Sequence, residues 1–176
     1  YKMDIVLENM KERRSVRSYK RDPVPDELVG KVIEAGLCAA SGMNRQSAII
    51  VNVKNKELRD RLMRMNASIM GREGSDPFYG APNVLIVLAD KNMPTYIYDG
   101  SLVMGNMMLE AHNLGLGSCW VHRAKEEFES KEGKEILRSL GIGENYEGIG
   151  HLILGYTDGE YPAPKEIKSG RVFTAD

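Results

Sequence analysis

Apolar positions along this chain recur with two alternating periods, close to 3.6 and close to 2. Asp4 to Lys11 is an amphipathic stretch. Leu28, Val29, Val32, Ile33 and Leu37 fall on one stripe, which predicts a helix from Asp26 to about Ala39 with Pro25 at its first turn. Ala48 to Val53 (AIIVNV) is a short β-branched run and reads as a strand. From Lys56 to about Ile69, basic residues alternate with Leu58, Leu62, Met65 and Ile69 at helical spacing. Gly71 to Pro82 holds Gly, Pro, Asp and Ser and reads as a loop, and Val84 to Ala89 (VLIVLA) is the most apolar run, read as a central strand.

A long helix is predicted from Tyr96 to Leu114. Leu102, Val103, Met107, Met108 and Leu109 make it apolar on more than one side, so it is expected to lie buried in the middle of the protein. Gly115-Leu116-Gly117 ends it and Ser118 to His122 forms a short strand. Lys125 to Leu140 is charged and helical with an interruption near Gly133, and Ile149 to Tyr156 is the last strong strand. The tail, 158–176, ends in a strand-like Arg171-Val172-Phe173-Thr174. Four or five strands thus interleave with about five helices, with no internal repeat. A tail of that length beyond the last core strand adds little to its own core and is expected to wrap a partner subunit.

The 176 residues suit one domain. Lys plus Arg number 24 against 25 Asp plus Glu, a net charge of −1, which argues against general nucleic-acid or membrane-surface binding. No apolar run approaches the roughly 20 residues of a membrane helix. The first residues do not resemble a signal peptide, and Met3 is read as the native start. Cys38 and Cys119 belong to no metal-spaced set and are read as reduced and buried, in keeping with a cytoplasmic protein.

Positive charge is concentrated locally in Arg13-Arg14-Ser15-Val16-Arg17. Guanidinium forks match a phosphate and Ser15 adds a small donor, so the segment reads as an anion pocket; a solvated basic turn or a nucleic-acid address patch is the plainer alternative. Most familiar sites are absent. There is no GxxxxGK[ST]; Gly115-Leu116-Gly117 lacks the third glycine of a dinucleotide fingerprint, and Gly148-Ile149-Gly150 has Ile153 in its place. His112, His122 and His151 show no zinc spacing, so no metal is expected, and His112 reads as a hydrogen-bonded core histidine. No GxSxG elbow is present, and Cys119, beside Trp120 on an apolar strand, reads as buried rather than nucleophilic. This pattern fits a protein whose cofactor performs the chemistry.

Five segments, in order, resemble the nitroreductase family of FMN-dependent oxidoreductases. Arg13 to Tyr19 (RRSVRSY) is similar to its opening RRSxRxF/Y segment, and Ala39 to Gln46 (AASGMNRQ) to its APSxxNxQPW motif. Gly80-Ala81-Pro82 before the apolar strand, Asp99 through Trp120 ending in GLGSCW, and Gly150 to Tyr156 with Pro162-Ala163-Pro164-Lys165 complete the match. The resemblance implies an α+β fold: a central, mainly antiparallel or mixed sheet of four to five strands flanked by helices. It further implies one FMN-binding domain over 1–176, whose tail, 158–176, is exchanged across a homodimer.

By the same resemblance, Arg13, Arg14, Ser15 and Arg17 hold the phosphate and ribityl chain, and Lys165 with Lys168 or Arg171 completes the clamp. Ser41, Met43 and Asn44 come from the other subunit, with Asn44 and Gln46 near the flavin edge. Backbone from Cys119 through Trp120, Val121 and His122 to Arg123 faces the ring, where an N–H donates to the hydride-accepting nitrogen and no side chain is a catalytic acid or base. NADH or NADPH reduces FMN, and a flat electron-poor acceptor such as a nitroaromatic or quinone then uses the same cleft, a ping-pong scheme. Three departures stand out: Ala40 replaces the motif proline, Ser47-Ala48 its Pro-Trp, and Lys165 an arginine. Loss of the Trp is expected to open space by the flavin, and together the departures are expected to shift substrate preference and weaken FMN retention. A flavin-binding protein with little turnover, or a specialised relative performing reductive dehalogenation or flavin degradation, is the alternative.

Overall fold

The computed structural model describes residues 4–175; the reading of Met3 as a native start lies outside them. Six α-helices and four strands follow in the order α1 (Ile5–Glu12), α2 (Asp26–Leu37), β1 (Ala48–Val53), α3 (Lys56–Ile69), β2 (Asn83–Asp90), α4 (Tyr96–Asn113), β3 (Gly117–Val121), α5 (Ala124–Glu129), α6 (Lys131–Ser139) and β4 (Tyr146–Gly155). A single 3-10 turn at Gly42–Asn44 precedes β1. The sheet has the order β1-β2-β4-β3 and every neighbouring pair is antiparallel.

The VLIVLA run is apolar at every position because both faces of β2 are covered. Val84, Ile86 and Leu88 join Val53, Leu62, Phe78, Phe128 and Ile136 in one cluster, under α3, α5 and α6. Leu85, Val87 and Ala89 join Val29, Val32, Met104 and Met107 in the other, under α2 and α4. The strand period of 2 thus feeds two cores at once. The β2–β4 register slips between Val87 and Leu88, which face Gly150 and Gly148, so Ile149 bulges out toward α4. There it packs on Gly100, where an added Cβ would sit 2.6 Å from Ile149 Cγ1.

Six sequence expectations need correction. The sheet has four strands, since 171–174 forms none: Val172 and Phe173 lie 88% and 91% exposed. The break in the charged helix falls at Ser130, whose hydroxyl caps α6 through Gly133 N–H (3.0 Å). Gly133 lies inside α6, where an added Cβ would fall on the carbonyl of Glu127; a packing need, not a helix break, accounts for the glycine. One side of α4 is open, with Ile97, Tyr98 and Leu102 exposed. His112 is not a core histidine: it is half-buried, stacks on Tyr161 (5.2 Å between centroids) and approaches Glu12 at 3.8 Å. Cys38 is exposed, whereas Cys119 is buried; both are free thiols. The sheet contains no parallel pair of named strands, so the mixed alternative falls away.

Candidate functional site

The basic segment begins where α1 stops. Arg13 caps the helix with its N–H on Asn9 O (3.1 Å), and the chain then turns to run along the outer edge of β3. Ser15 bridges Ser118 in parallel sense, and Val16 N–H donates to Ser118 O at 3.0 Å. Val16 is 1% exposed, sunk under the segment, and the buried Tyr19 hydroxyl donates to Val16 O at 2.6 Å. Burial pushes the Tyr19 phenol up, which keeps it a donor. Two apolar anchors therefore hold a charged strip against the sheet, leaving Ser15 half-buried and Arg17 exposed.

The three arginines do different work. Arg13 Nη1 is buried and has no hydrogen-bond partner. A buried guanidinium donor left unpaired costs about 1–3 kcal/mol, so this atom could hold an anion. Arg14, expected beside it on a phosphate, is committed elsewhere. Its guanidinium donates to the carbonyls of Lys11 (2.6 Å), Arg13 and Ala163 (3.1 Å), and its N–H donates to the Tyr161 hydroxyl (2.7 Å). Arg14 is the clasp that fixes the start of the tail on α1. That clasp brings Lys165 to the rim of a cleft of about 590 Å3 shared with Leu7, Met10, Lys11 and Ile167. Lys168 and Arg171 lie further out on the exposed tail.

β3 is an edge strand, paired with β4 on one side and met on the other by Ser15 at Ser118. Alternation turns Cys119 (3% exposed) and Val121 (5%) into the core and Trp120 and His122 to the other face. Cys119 and Val121 therefore offer backbone, not side chains, to anything at this edge. Trp120 packs over Gly150, where an added Cβ would meet its ring, and its buried Nε1 has no partner. Arg123 then takes a left-handed conformation (φ 76°) and caps α5.

The second cluster lies at the opposite edge, before β1. Met43, Asn44 and Gln46 have φ of 53°, 54° and 50°, a run of left-handed non-glycine residues costing roughly 1–2 kcal/mol each. Met43 is 85% exposed, and Asn44 and Gln46 hydrogen-bond each other (3.2 Å). The strain is held by Asp99, a residue the sequence reading did not single out. Its buried carboxylate accepts from Gly42 N–H (3.0 Å), Ser47 Oγ (2.6 Å) and Thr95 Oγ1 (3.0 Å). Burial acts to raise the Asp99 pKa, but the bonds from Ser47, Gly42 and Thr95 together outweigh it and hold the carboxyl below its usual range. Ser41 Oγ accepts from Gln46 N–H (2.9 Å) and closes the loop. The available signal was the lone charge in an otherwise uncharged stretch from Tyr96 to Leu109.

Ser47 is buried as an anchor on Asp99. Beside it, Ala40, Gln46 and Ala48 line a cavity of about 80 Å3. Three strand spacings, roughly 14 Å, separate the β1 edge from the β3 edge. A single chain therefore holds the 41–47 loop and the Arg13–Arg17 strip apart. Among the described residues no group of three or more His, Cys, Asp or Glu is arranged to hold a metal, and no helix is long and apolar enough to cross a membrane.

The profile of the nitroreductase family matches residues 10–156, from within α1 to just past β4. An FMN reductase (NAD(P)H) of Bacillus subtilis is 31% identical over 193 residues, covering 97% of this chain and 71% of that one. Among solved structures, a nitroreductase with bound FMN from Bacteroides fragilis is similar with a TM-score of 0.88 at 30% identity, over 99% of this chain and 100% of that one. A second, from Desulfitobacterium hafniense and also with bound FMN, gives 0.86 at 28% identity with the same coverage. Sequence and architecture agree over the whole of the sheet and its helices, and the chain belongs to the nitroreductase family.

Proposed function

We propose that the chain is an FMN-dependent NAD(P)H oxidoreductase acting on flat, electron-poor acceptors such as nitroaromatics or quinones, and that it works as a homodimer of one-domain subunits. The observation that carries this reading is the buried, unpartnered Arg13 Nη1 on a segment bridged to the open edge of β3. The residues fit a phosphorylated flavin. Arg13, Ser15 and Arg17 take the phosphate and ribityl chain, Lys165 with Lys168 or Arg171 supplies further charge, and Arg14 holds the tail that carries them. Bound FMN would supply the redox chemistry, accepting a hydride from NADH or NADPH and returning two electrons to the acceptor.

The chain's own part is to bind and orient. Backbone N–H groups between Cys119 and Arg123 would donate to the ring edge and favour charge as it develops there. The strained 41–47 loop of a second copy, with Ser41, Met43, Asn44 and Gln46, covers the ring's far side, since one chain holds the two clusters roughly 14 Å apart. Donor and acceptor share one cleft and bind in turn, which gives ping-pong kinetics. The exposed apolar residues of α1 (Ile5, Val6, Leu7), α4 (Ile97, Tyr98, Leu102) and the tail (Val172, Phe173) are the surfaces a partner subunit would cover.

The visible spectrum of the purified protein, with FMN added and then anaerobic NADH or NADPH, tests this. Flavin absorbance that comigrates with the protein and bleaches with either nucleotide is the expected result. Bound flavin that neither nucleotide reduces would leave a binding protein with little turnover. A protein that takes up no FMN would remove the site.

A further inference from the structure

The turn at His122–Arg123 is tied to the centre of the molecule by a buried polar chain that the cofactor reading does not use. Asn66 of α3 is fully buried, and its amide faces two ways. Its Nδ2 donates to His122 O (2.8 Å) and to Glu127 Oε2 (3.3 Å), while its Oδ1 accepts from Arg123 Nε (2.8 Å). Glu127 of α5 is in turn hydrogen-bonded through Oε2 to His151 Nε2 on β4, and both residues are fully buried. Phe78 and Phe128 enclose the imidazole at 5.2 and 6.2 Å.

Such a chain is expensive. Glu127 Oε1 and His151 Nδ1 are buried without partners, and a carboxyl and an imidazole among phenyl rings stabilise a fold less than well-packed apolar groups of similar size. A structural role alone gives no account of that cost. Geometry does: Glu127 can only accept toward Asn66, which fixes the amide with its NH2 on the His122 carbonyl and its oxygen on Arg123. The left-handed residue Arg123 and the carbonyl just before it are thereby held from one side chain.

We propose that Asn66, Glu127 and His151 are positioning residues that set the orientation of the 122–123 backbone, and through it the reduction potential of the flavin. This rests on the reading that N–H groups of the Cys119–Arg123 stretch face the ring. The hydride-accepting nitrogen accepts a hydrogen bond when the ring is oxidised and carries a proton when it is reduced. A well-aimed backbone donor therefore favours the oxidised ring, and a loosened turn raises the potential.

Asn66→Ala, measured as the FMN-loaded protein, is expected to shift the ratio of oxidised to reduced FMN affinity about tenfold, which is about 30 mV more positive for a two-electron couple. Glu127→Gln keeps an acceptor toward Asn66 and is expected to hold the potential within twofold of the wild-type ratio. If Asn66→Ala does not fold, Asn66→Leu, of similar shape with neither donor nor acceptor, replaces it and carries the same expectation. An unmoved potential in a variant that binds FMN but melts earlier would make the chain merely structural and overturn the proposal. Wild-type protein that binds no FMN would instead overturn the site reading beneath it.

Discussion

Converting Arg13 and Arg17 together to alanine is expected to weaken FMN binding by about a hundred- to ten-thousand-fold. Each charge-assisted hydrogen bond contributes roughly 1.5–3 kcal/mol, and two are removed. The fold should be nearly indifferent, because Arg13 Nη1 satisfies nothing in the chain and Arg17 is exposed. Fluorescence titration of the flavin-free protein measures the first effect and thermal unfolding the second. Unchanged affinity would take the phosphate away from this strip. Arg14→Ala should behave in the opposite sense, since its donors serve the tail: FMN affinity falls less, while the tail loses its hold on α1.

The second large effect is expected at Asp99. Replacing it with alanine strands three donors, Gly42 N–H, Ser47 Oγ and Thr95 Oγ1, at a cost of about 3–5 kcal/mol. At this chain length that lowers Tm by about 6–20 °C. Once the acceptor is gone, the 42–46 loop gains by abandoning its left-handed residues, so bound flavin should also become easier to remove. The pH dependence has a definite sign. Because the carboxyl is held below 3.8, its contribution is complete above the ordinary carboxylate range and is lost as pH falls through the lower folded value. Urea unfolding at pH 7 and at about pH 3 should therefore show a wild-type advantage over Asp99→Ala that shrinks in acid. An advantage that stays constant or grows on acidification would mean that the carboxylate form is not what holds the loop.

Much of this architecture could be read from residue periods. α3 and β1 begin and end where the pattern places them, because each carries an unbroken apolar period bounded by polar or turn residues. What escaped was set by packing between elements distant in sequence. Gly133 resembles a helix breaker until the carbonyl of Glu127 is seen where its side chain would be. Arg14 reads as one more phosphate ligand until Tyr161 and Ala163, nearly 150 residues on, are seen to occupy it. Asp99 and Asn66 escaped for the same reason: a lone polar residue on a helix names no partner, and all their partners but Thr95 lie 52 to 61 residues away. The motif resemblance named the segments that surround the candidate site but not the side chains that brace them.

The separation of the two clusters across the sheet has a genetic consequence. On the proposed reading, each cleft takes its basic strip from one polypeptide and its strained loop from the other. A chain defective only at Arg13 and Arg17 and a chain defective only in the 42–46 loop are then both inactive alone. Mixed at random, half of the dimers pair one defect with the other, and in each of those one cleft receives both lesions while its twin receives neither. Two dead alleles would together restore about a quarter of the sites, a complementation that no single-chain enzyme can give.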